Sequence, residues 1–214
     1  MLVTRLTAFD KKRYKVYIDE ELAFVLYKGE LRRFNINCGE LIEKAVYNQI
    51  MEEHLPKRAF NRCIHLLEKR DYTSFELRDK LKLAFYPDKA IEAGIDKCRS
   101  YGYVDDESYV RRYIECYADR KNKRQLQQAL YKKGIDSRFF EAIYSELDVN
   151  TDDDLLIRQL LEKRHFKEHM MACKDDRDAL QKEKNKQFTY LLSKGFTIDR
   201  VRHALDITWD SLYN

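Results

Sequence analysis

The stretch that decides the fold is Leu126–Leu147, LQQALYKKGIDSRFFEAIYSEL. It is typical of one helix, a Lys-Gly turn followed by an apolar residue, and a second amphipathic helix. The segment Gln187–Leu205, QFTYLLSKGFTIDRVRHAL, repeats this pattern, and a more divergent copy lies at Leu77–Cys98. The chain is therefore predicted to contain three copies of one helical unit.

Aligning the three copies places apolar residues in common columns. The columns are Leu81, Leu130 and Leu191; Tyr86, Ile135 and Phe196; Ile91, Phe140 and Val201; Gly94, Ile143 and Ala204; Ile95, Tyr144 and Leu205; and Cys98, Leu147 and Thr208. The last four columns are spaced i, i+3, i+4 and i+7, which is one face of a helix. A repeat that cannot bury such a face alone must stack on its neighbours, which favours an extended binding surface over a catalytic pocket.

Composition narrows the class of protein. The 214 residues carry 41 basic and 37 acidic side chains, a formal net charge of +4, which neither proves nor excludes a nucleic-acid partner. The 5 cysteines are odd in number and form no CxxC pair, which indicates a reducing compartment. No apolar run approaches the roughly 20 residues that span a bilayer. A soluble, cytoplasmic protein is expected.

The N-terminal segment is predicted to be a small antiparallel β element followed by a helix. Tyr14–Ile18 and Leu22–Tyr27 alternate and are rich in β-branched and aromatic residues, and Leu31–Ile36 is predicted as a third strand. A helix is predicted over residues 39–54, ended by Pro56. Its predicted buried positions are Leu41, Ala45, Tyr47, Ile50 and Met51.

The repeat spacing predicts four segments. They are residues 1–56 for the β element and its helix, 57–104 and 105–150 for the first two three-helix repeats, and 151–214 for the third. The third repeat contains about a dozen extra residues, placed within 165–186, which are expected to extend its first helix or form a surface excursion. The first helices of repeats one and two are predicted to bury Phe60, Ile64 and Leu67, and Tyr109, Tyr113 and Cys116, respectively.

Three stretches carry a resemblance to a known family. They are Ser74–Leu81 (SFELRDKL), Tyr101–Asp106 (YGYVDD) and Leu130–Ile135 (LYKKGI). In this order and spacing they resemble the RecX family, regulators of the RecA recombinase, over nearly the whole chain. The chain departs from the family at Ala84-Phe85, where Lys-Gly is usual. Because a bulky residue is disfavoured in a left-handed turn, that helix is predicted to end differently.

The resemblance implies a fold and a function. The fold is mostly α, with tandem three-helix repeats in an elongated curved array and a small N-terminal β element. The family's members bind RecA filaments, inhibit ATP hydrolysis and strand exchange, and in several cases contact DNA, which places them in homologous recombination, DNA repair and the SOS response. The expected function is therefore inhibition of the RecA–DNA filament by a monomer. The alternative is a stand-alone DNA-binding helical-repeat protein, since a helix-turn-helix can enter a groove.

The densest basic patch is the candidate partner-binding site. It consists of Arg120, Lys121, Lys123, Arg124, Lys132 and Lys133. Such a patch can contact phosphates or the acidic residues of a filament groove, and the contact would be sensitive to salt. The alternative interpretation is a solvated turn between helices.

Signals for catalysis, a cofactor or a metal are weak. The sequence lacks a glycine-rich phosphate loop, a nucleophile elbow and a metalloprotease motif, so no enzyme activity and no cofactor are expected. The carboxylates at 105–106 and 152–154 precede helices, and capping explains them without a metal. His165, His169 and Cys173 would share one face of a continuous helix, yet they lack a suitable fourth ligand for zinc.

Overall fold

The computed structural model describes residues 1–147, 149, 152–173 and 175–213, with side chains placed as far as residue 206. Thr208, the last member of the final repeat column, therefore lies outside the described side chains. The chain divides into two compact units, Met1–Tyr109 and Val110–Asn214. Among the described residues, no helix is long and apolar enough to cross a membrane. The predicted boundaries of the four segments stay a prediction.

The first unit begins with a three-stranded antiparallel sheet. Its strands are β1 (Val3–Ala8), β2 (Arg13–Ile18) and β3 (Glu21–Tyr27), in the order β1-β2-β3. One face of the sheet is buried and contributes Val3, Val16, Phe24 and Leu26 to the N-terminal core. The predicted β element is confirmed.

The predicted third strand over Leu31–Ile36 is wrong. Lys28–Arg33 forms a short helix, α1, and the third strand of the sheet is β1 instead. Leu31 and Phe34 are both buried at helical spacing, and the Glu30 carboxylate accepts a hydrogen bond of 2.7 Å from the Tyr27 N–H at the helix start. A spacing of three residues between buried positions favours a helical turn over a strand.

The helix predicted over residues 39–54 starts later and continues beyond Pro56. It comprises α2 (Lys44–Asn48), a π-helical turn (Gln49–His54) and α3 (Leu55–Leu67) without a break. The Leu55 N–H donates to the Ile50 carbonyl, five residues back, and Pro56 follows at this change of register. Pro56 thus lies inside a continuous helix, at the point where the hydrogen-bond register changes from π to α and the regular ladder is already interrupted.

The predicted burial along this helix is only partly right. Ile50 is fully buried, and Tyr47 and Met51 pack against the N-terminal core. Leu41 lies outside the helix and is 78% exposed, and Ala45 is also exposed. Ile42 occupies the core instead of Leu41.

The first repeat consists of α3, α4 (Ser74–Leu83) and α5 (Asp88–Ser100). The capping box predicted by the sequence TSFE is present, since the Thr73 hydroxyl accepts from the Glu76 N–H at 3.2 Å and the Glu76 carboxylate accepts from the Thr73 N–H at 3.2 Å. Helices α3 and α5 approach closely at Gly94. A Cβ there would lie 2.9 Å from the Ala59 Cβ, so this column requires glycine where the other repeats have isoleucine and alanine.

The remaining helices belong to the second and third repeats. They are α6 (Asp106–Tyr117), α7 (Lys123–Tyr131), α8 (Ser137–Glu146), α9 (Asp153–Lys163), α10 (Phe166–Ala172), α11 (Arg177–Ser193) and α12 (Ile198–Tyr213). Carboxylates cap several of them as predicted. Asp105 accepts from the N–H groups of Glu107 and Ser108, and Asp152 accepts from the Leu155 N–H at 2.9 Å.

The described members of the repeat columns are mostly buried. Leu81, Leu130 and Leu191 are fully buried. Ile91, Phe140 and Val201 are at most 1% exposed, and they form the centres of their repeats. On α3 and α6, the first helices of repeats one and two, the buried face is shifted by about one residue from the predicted face. The buried residues are Ala59, Cys63 and Leu66 on α3, and Val110 and Ile114 on α6; Phe60, Ile64, Leu67, Tyr109 and Tyr113 are half-buried, and Cys116 is exposed.

The turn between the second and third helix has the same geometry in all three repeats. In the second repeat the Ile135 N–H donates to the Leu130 carbonyl at 3.1 Å across Gly134, which has φ +80°. The same bond closes the other two turns, from Tyr86 to Leu81 at 3.2 Å and from Phe196 to Leu191 at 3.4 Å. This bond between residues five apart is the C-terminal capping motif that glycine favours.

The expectation that the first repeat ends differently is wrong, because Phe85 adopts the left-handed conformation itself. Its φ is +60°, in the position of Gly134 and Gly195. The Phe85 ring meets the Phe9 ring edge to face at 5.2 Å, and the Lys15 ammonium lies 4.0 Å from its centre. These contacts offset a left-handed backbone that costs about 1–2 kcal/mol in a residue with a Cβ.

We predict that Phe85→Ala is less stable than Phe85→Gly by about 1 kcal/mol. Both variants lose the ring contacts, yet only alanine keeps the strained Cβ. The free energy of unfolding, measured by urea titration on both variants, checks this. Equal stability, or a more stable alanine variant, would show that the turn relaxes to another conformation.

The extra residues of the third repeat form an additional helix. The prediction that they extend its first helix is wrong, because α9 ends at Lys163 and His165 takes a left-handed φ of +51°. The new helix α10 buries Phe166 and Met170 in the core of the third repeat. The insertion is therefore part of the packed core of that repeat.

Candidate functional site: the cationic segment between α6 and α7

A buried asparagine orders the cationic segment 120–124. Asn122 is 3% exposed, and its side-chain carbonyl accepts a 2.9 Å hydrogen bond from the Gln125 N–H at the start of α7. Its side-chain amide donates to the Lys194 carbonyl at 3.1 Å. That carbonyl lies at the end of α11, where a helix leaves acceptors without a partner. The segment is thus fixed onto the turn after α11.

Arg120 and Lys121 flank this asparagine on the α6 side. The Arg120 side chain is 74% exposed and lies 3.2 Å from the carboxylate of its neighbour Asp119. The Lys121 ammonium donates to the Tyr113 hydroxyl at 2.7 Å and lies 4.2 Å from the centre of the Tyr117 ring. Lys121 is thereby held over two rings of α6, while Arg120 projects into solvent.

Lys123 and Arg124 lie on the first turn of α7. Lys123 pairs with Glu141 of α8 at 2.6 Å, and both side chains are nearly half exposed. Such a surface pair contributes at most about 1 kcal/mol. The Arg124 stem covers Gly195, where a Cβ would lie 2.8 Å from the Arg124 Cδ. Its guanidinium has no ion pair with any residue that the structure describes.

Lys132 and Lys133 lie at the other end of α7. The helix has 9 residues, so its ends are roughly 13 Å apart. Lys132 is exposed beside a shallow cavity of about 230 Å³ that Gln128 and Tyr131 also line, and Lys133 is half-buried. The structure therefore separates the six predicted residues into two groups. The group at 120–124 is the larger.

A cleft beside Arg120 adds residues that the sequence did not single out. Its volume is about 170 Å³. The apolar part of its lining, which we call the floor, consists of Leu156, Leu160 and Phe196, and Gln125 and Gln159 also line it. Arg120 and Lys163 supply two cationic groups to its lining. We call this feature the Arg120 cleft. It is suited to an acidic group that carries apolar neighbours.

The candidate metal ligands His165, His169 and Cys173 do not form a metal site in the described part of the chain. His165 precedes α10 with a left-handed backbone, so His165, His169 and Cys173 do not share one continuous helix. His169 lies 3.5 Å from the Glu183 carboxylate. Within the described ranges there is no group of three histidine, cysteine or acidic residues that could hold a metal ion.

The described fold and site define a class of protein, a helical-repeat protein that carries a three-stranded N-terminal sheet and presents an ordered cationic surface. The family model for the first three-helix domain of RecX matches residues 59–98, which contain most of the first repeat. Together with the relatives named regulatory protein RecX, this match supports the RecX family for the chain.

Relatives named regulatory protein RecX match nearly the whole length of the chain. That of Caldanaerobacter subterraneus is 29% identical over 210 residues, which cover 97% of this chain and 100% of the relative. That of Clostridium acetobutylicum is 27% identical, over 95% of this chain and 94% of the relative.

Solved structures show the same fold. A crystal structure of a regulatory protein RecX superposes with a TM-score of 0.60 over 96% of this chain and 98% of that chain, at 20% identity. RecX from Lactobacillus salivarius superposes with a TM-score of 0.56 over 72% of this chain and 97% of that chain, at 22% identity. The mostly helical fold with three-helix repeats is thus shared with both structures.

Proposed function

We propose that this protein binds the RecA–DNA filament and inhibits its ATP hydrolysis and strand exchange. The observation that carries the proposal is the similarity to proteins named regulatory protein RecX, which extends over 97% of this chain and 100% of the relative. The protein acts by binding and not by catalysis, as a monomer in the cytoplasm. Any contact with DNA is weak and secondary.

The Arg120 cleft supports a protein partner over bare DNA. The phosphates of double-stranded DNA, whose bases are paired and stacked inside, are neutralised by cations and gain nothing from an apolar floor. An acidic patch of a protein surface brings both carboxylates and apolar side chains, which the cations Arg120 and Lys163 and the floor residue Phe196 match. Because Asn122 fixes the segment in the free protein, binding does not have to order it first.

The test is the ATPase rate of RecA on single-stranded DNA while the protein is titrated. We expect the rate to fall to a plateau, and the inhibitory concentration to rise when salt is increased from 50 to 200 mM, as expected for a contact between charged groups. DNA binding by the protein alone is measured in parallel. If it binds DNA equally well with and without RecA, and the ATPase rate does not change, the protein is a stand-alone DNA-binding protein.

A further inference from the structure

The first unit contains a second cationic surface that lies apart from the segment 120–124 in the sequence. It is an open cavity of about 580 Å³ between the tip of the β1–β2 hairpin, helix α3 and the turn from α4 to α5. Its cationic lining consists of Lys11, Lys12, Arg13, Arg62 and Lys80. Its other lining residues include Asp10, Tyr27, Leu83 and Tyr86. We call it the hairpin pocket.

The single carboxylate of the pocket does not cancel this charge. Asp10 accepts hydrogen bonds from the N–H groups of Lys12 and Arg13, both at 2.9 Å, and pairs with the Arg13 guanidinium at 2.6 Å. The hydrogen bond from the Lys12 N–H is the largest cause that lowers the pKa of the Asp10 carboxyl, and the bond from the Arg13 side chain is the next. Asp10 is therefore ionised at neutral pH and neutralises Arg13. Lys11, Lys12, Arg62 and Lys80 are exposed and have no ion pair in the described part of the chain.

The walls of the pocket are held in place before any ligand binds. The Phe9 N–H donates to the Arg13 carbonyl at 2.8 Å, and the Lys28 N–H donates to the Lys12 carbonyl at 3.0 Å, which fix the hairpin tip. The Phe9 ring then contacts Phe85, the strained residue of the α4–α5 turn. Backbone strain of this kind is concentrated at functional sites, where the surroundings hold it in place.

Aromatic surface is available beside the cations. Tyr27 is 41% exposed and lines the pocket together with Tyr86. The Arg58 guanidinium lies 5.4 Å from the Tyr27 ring centre and 4.9 Å from that of Tyr86, and it is paired with Glu30 at 2.6 Å. Arg58, whose charge is neutralised by Glu30, thus positions both rings. A flat base can stack on the exposed ring of Tyr27.

We propose that the hairpin pocket binds a nucleoside polyphosphate, with its phosphates against the lysines of the hairpin tip and its base against Tyr27. A polyphosphate chain carries several negative charges at neutral pH, which matches a surplus of unpaired cations. The volume of about 580 Å³ lies within the roughly 300–1,000 Å³ typical of small-molecule sites, and it exceeds what inorganic phosphate would fill. This proposal does not depend on the proposed function.

Isothermal titration of the full chain with ATP, inorganic tripolyphosphate and a 20-nucleotide oligothymidylate tests the proposal. We expect ATP to bind one to one, and tripolyphosphate to bind at least about fivefold more weakly, because it lacks the base that stacks on the ring. Equal affinity for ATP and tripolyphosphate would remove the base contact from the proposal. Binding of the oligonucleotide without binding of ATP would overturn it in favour of a groove for a nucleic-acid strand.

A pair of matched variants places the binding in the pocket. The pocket variant carries Lys11→Ala, Lys12→Ala, Arg62→Ala and Lys80→Ala. The control variant removes four exposed cations from elsewhere by Lys44→Ala, Lys57→Ala, Lys89→Ala and Lys167→Ala. We expect the pocket variant to bind ATP at least about tenfold more weakly and the control to bind like the wild type. Equal weakening in both variants would assign the binding to net charge and overturn the site, as would an absence of ATP binding by the wild type.

Discussion

Replacing Phe140 by aspartate will unfold the second repeat. Phe140 lies on α8, is 1% exposed, and its ring centre is 5.4 Å from that of Tyr144. Removing the ring alone costs about 3–5 kcal/mol, and the buried carboxyl has no partner to replace its hydration. Because whole domains are stable by only about 5–15 kcal/mol, the loss should lower the thermal midpoint by many degrees.

The neighbouring substitution Phe139→Asp is the matched control. Phe139 is half-buried and lies on the first turn of α8, three residues after Asp136, which caps that helix. A carboxylate in the first turn is favourable to the helix, which offsets part of the lost apolar contact. Circular dichroism during heating compares the two variants. A Phe140→Asp protein that melts like the wild type would show that the repeat columns do not form the core.

The repeat centres could be predicted from the sequence because three copies constrain one another. Leu81, Leu130 and Leu191 each lie in the last turn of the helix before the turn that the repeats share, and all three are fully buried. The first helices lack such an alignment, and their periodicity alone favours the face that carries the bulkiest side chains. On α3 the inner face consists of small residues, Ala59 and Cys63, because helix α5 approaches closely at Gly94.

The structure also differs from the sequence-based predictions where contacts with distant residues override a local preference. A bulky residue such as Phe85 avoids a left-handed turn by local preference, yet its conformation here depends on contacts with Phe9 and Lys15, which precede it by 76 and 70 residues in the sequence. Likewise, the hairpin pocket joins the short basic run 11–13 to Arg62 and Lys80 from distant parts of the chain, so the run alone does not indicate the pocket. The closely spaced cations of the segment 120–124 are visible in the sequence, whereas its link to Lys194 through Asn122 has no sequence signal.

The cationic segment should lose its effect on RecA when its charges are removed and its shape is kept. We predict that Arg120→Gln, Lys121→Gln, Lys123→Gln and Arg124→Gln together raise the inhibitory concentration in the RecA ATPase assay by at least about tenfold. Glutamine is preferred to alanine because it retains part of the Arg124 stem over Gly195. The lost pair between Lys123 and Glu141 costs at most about 1 kcal/mol of stability, so the helical content should not change.

Two controls separate this surface from general charge and from the hairpin pocket. The first replaces Lys44, Lys57, Lys89 and Lys167 by glutamine, and the second is the alanine variant of the pocket; both should inhibit RecA like the wild type. Because each variant removes four positive charges, any difference between them must come from position and not from net charge. Inhibition that survives the loss of residues 120–124 would exclude this segment, and the Arg120 cleft with it, as the contact with the filament. Loss of inhibition in all three variants would instead mean that the filament responds to the total charge of the protein, which a specific docking surface does not predict.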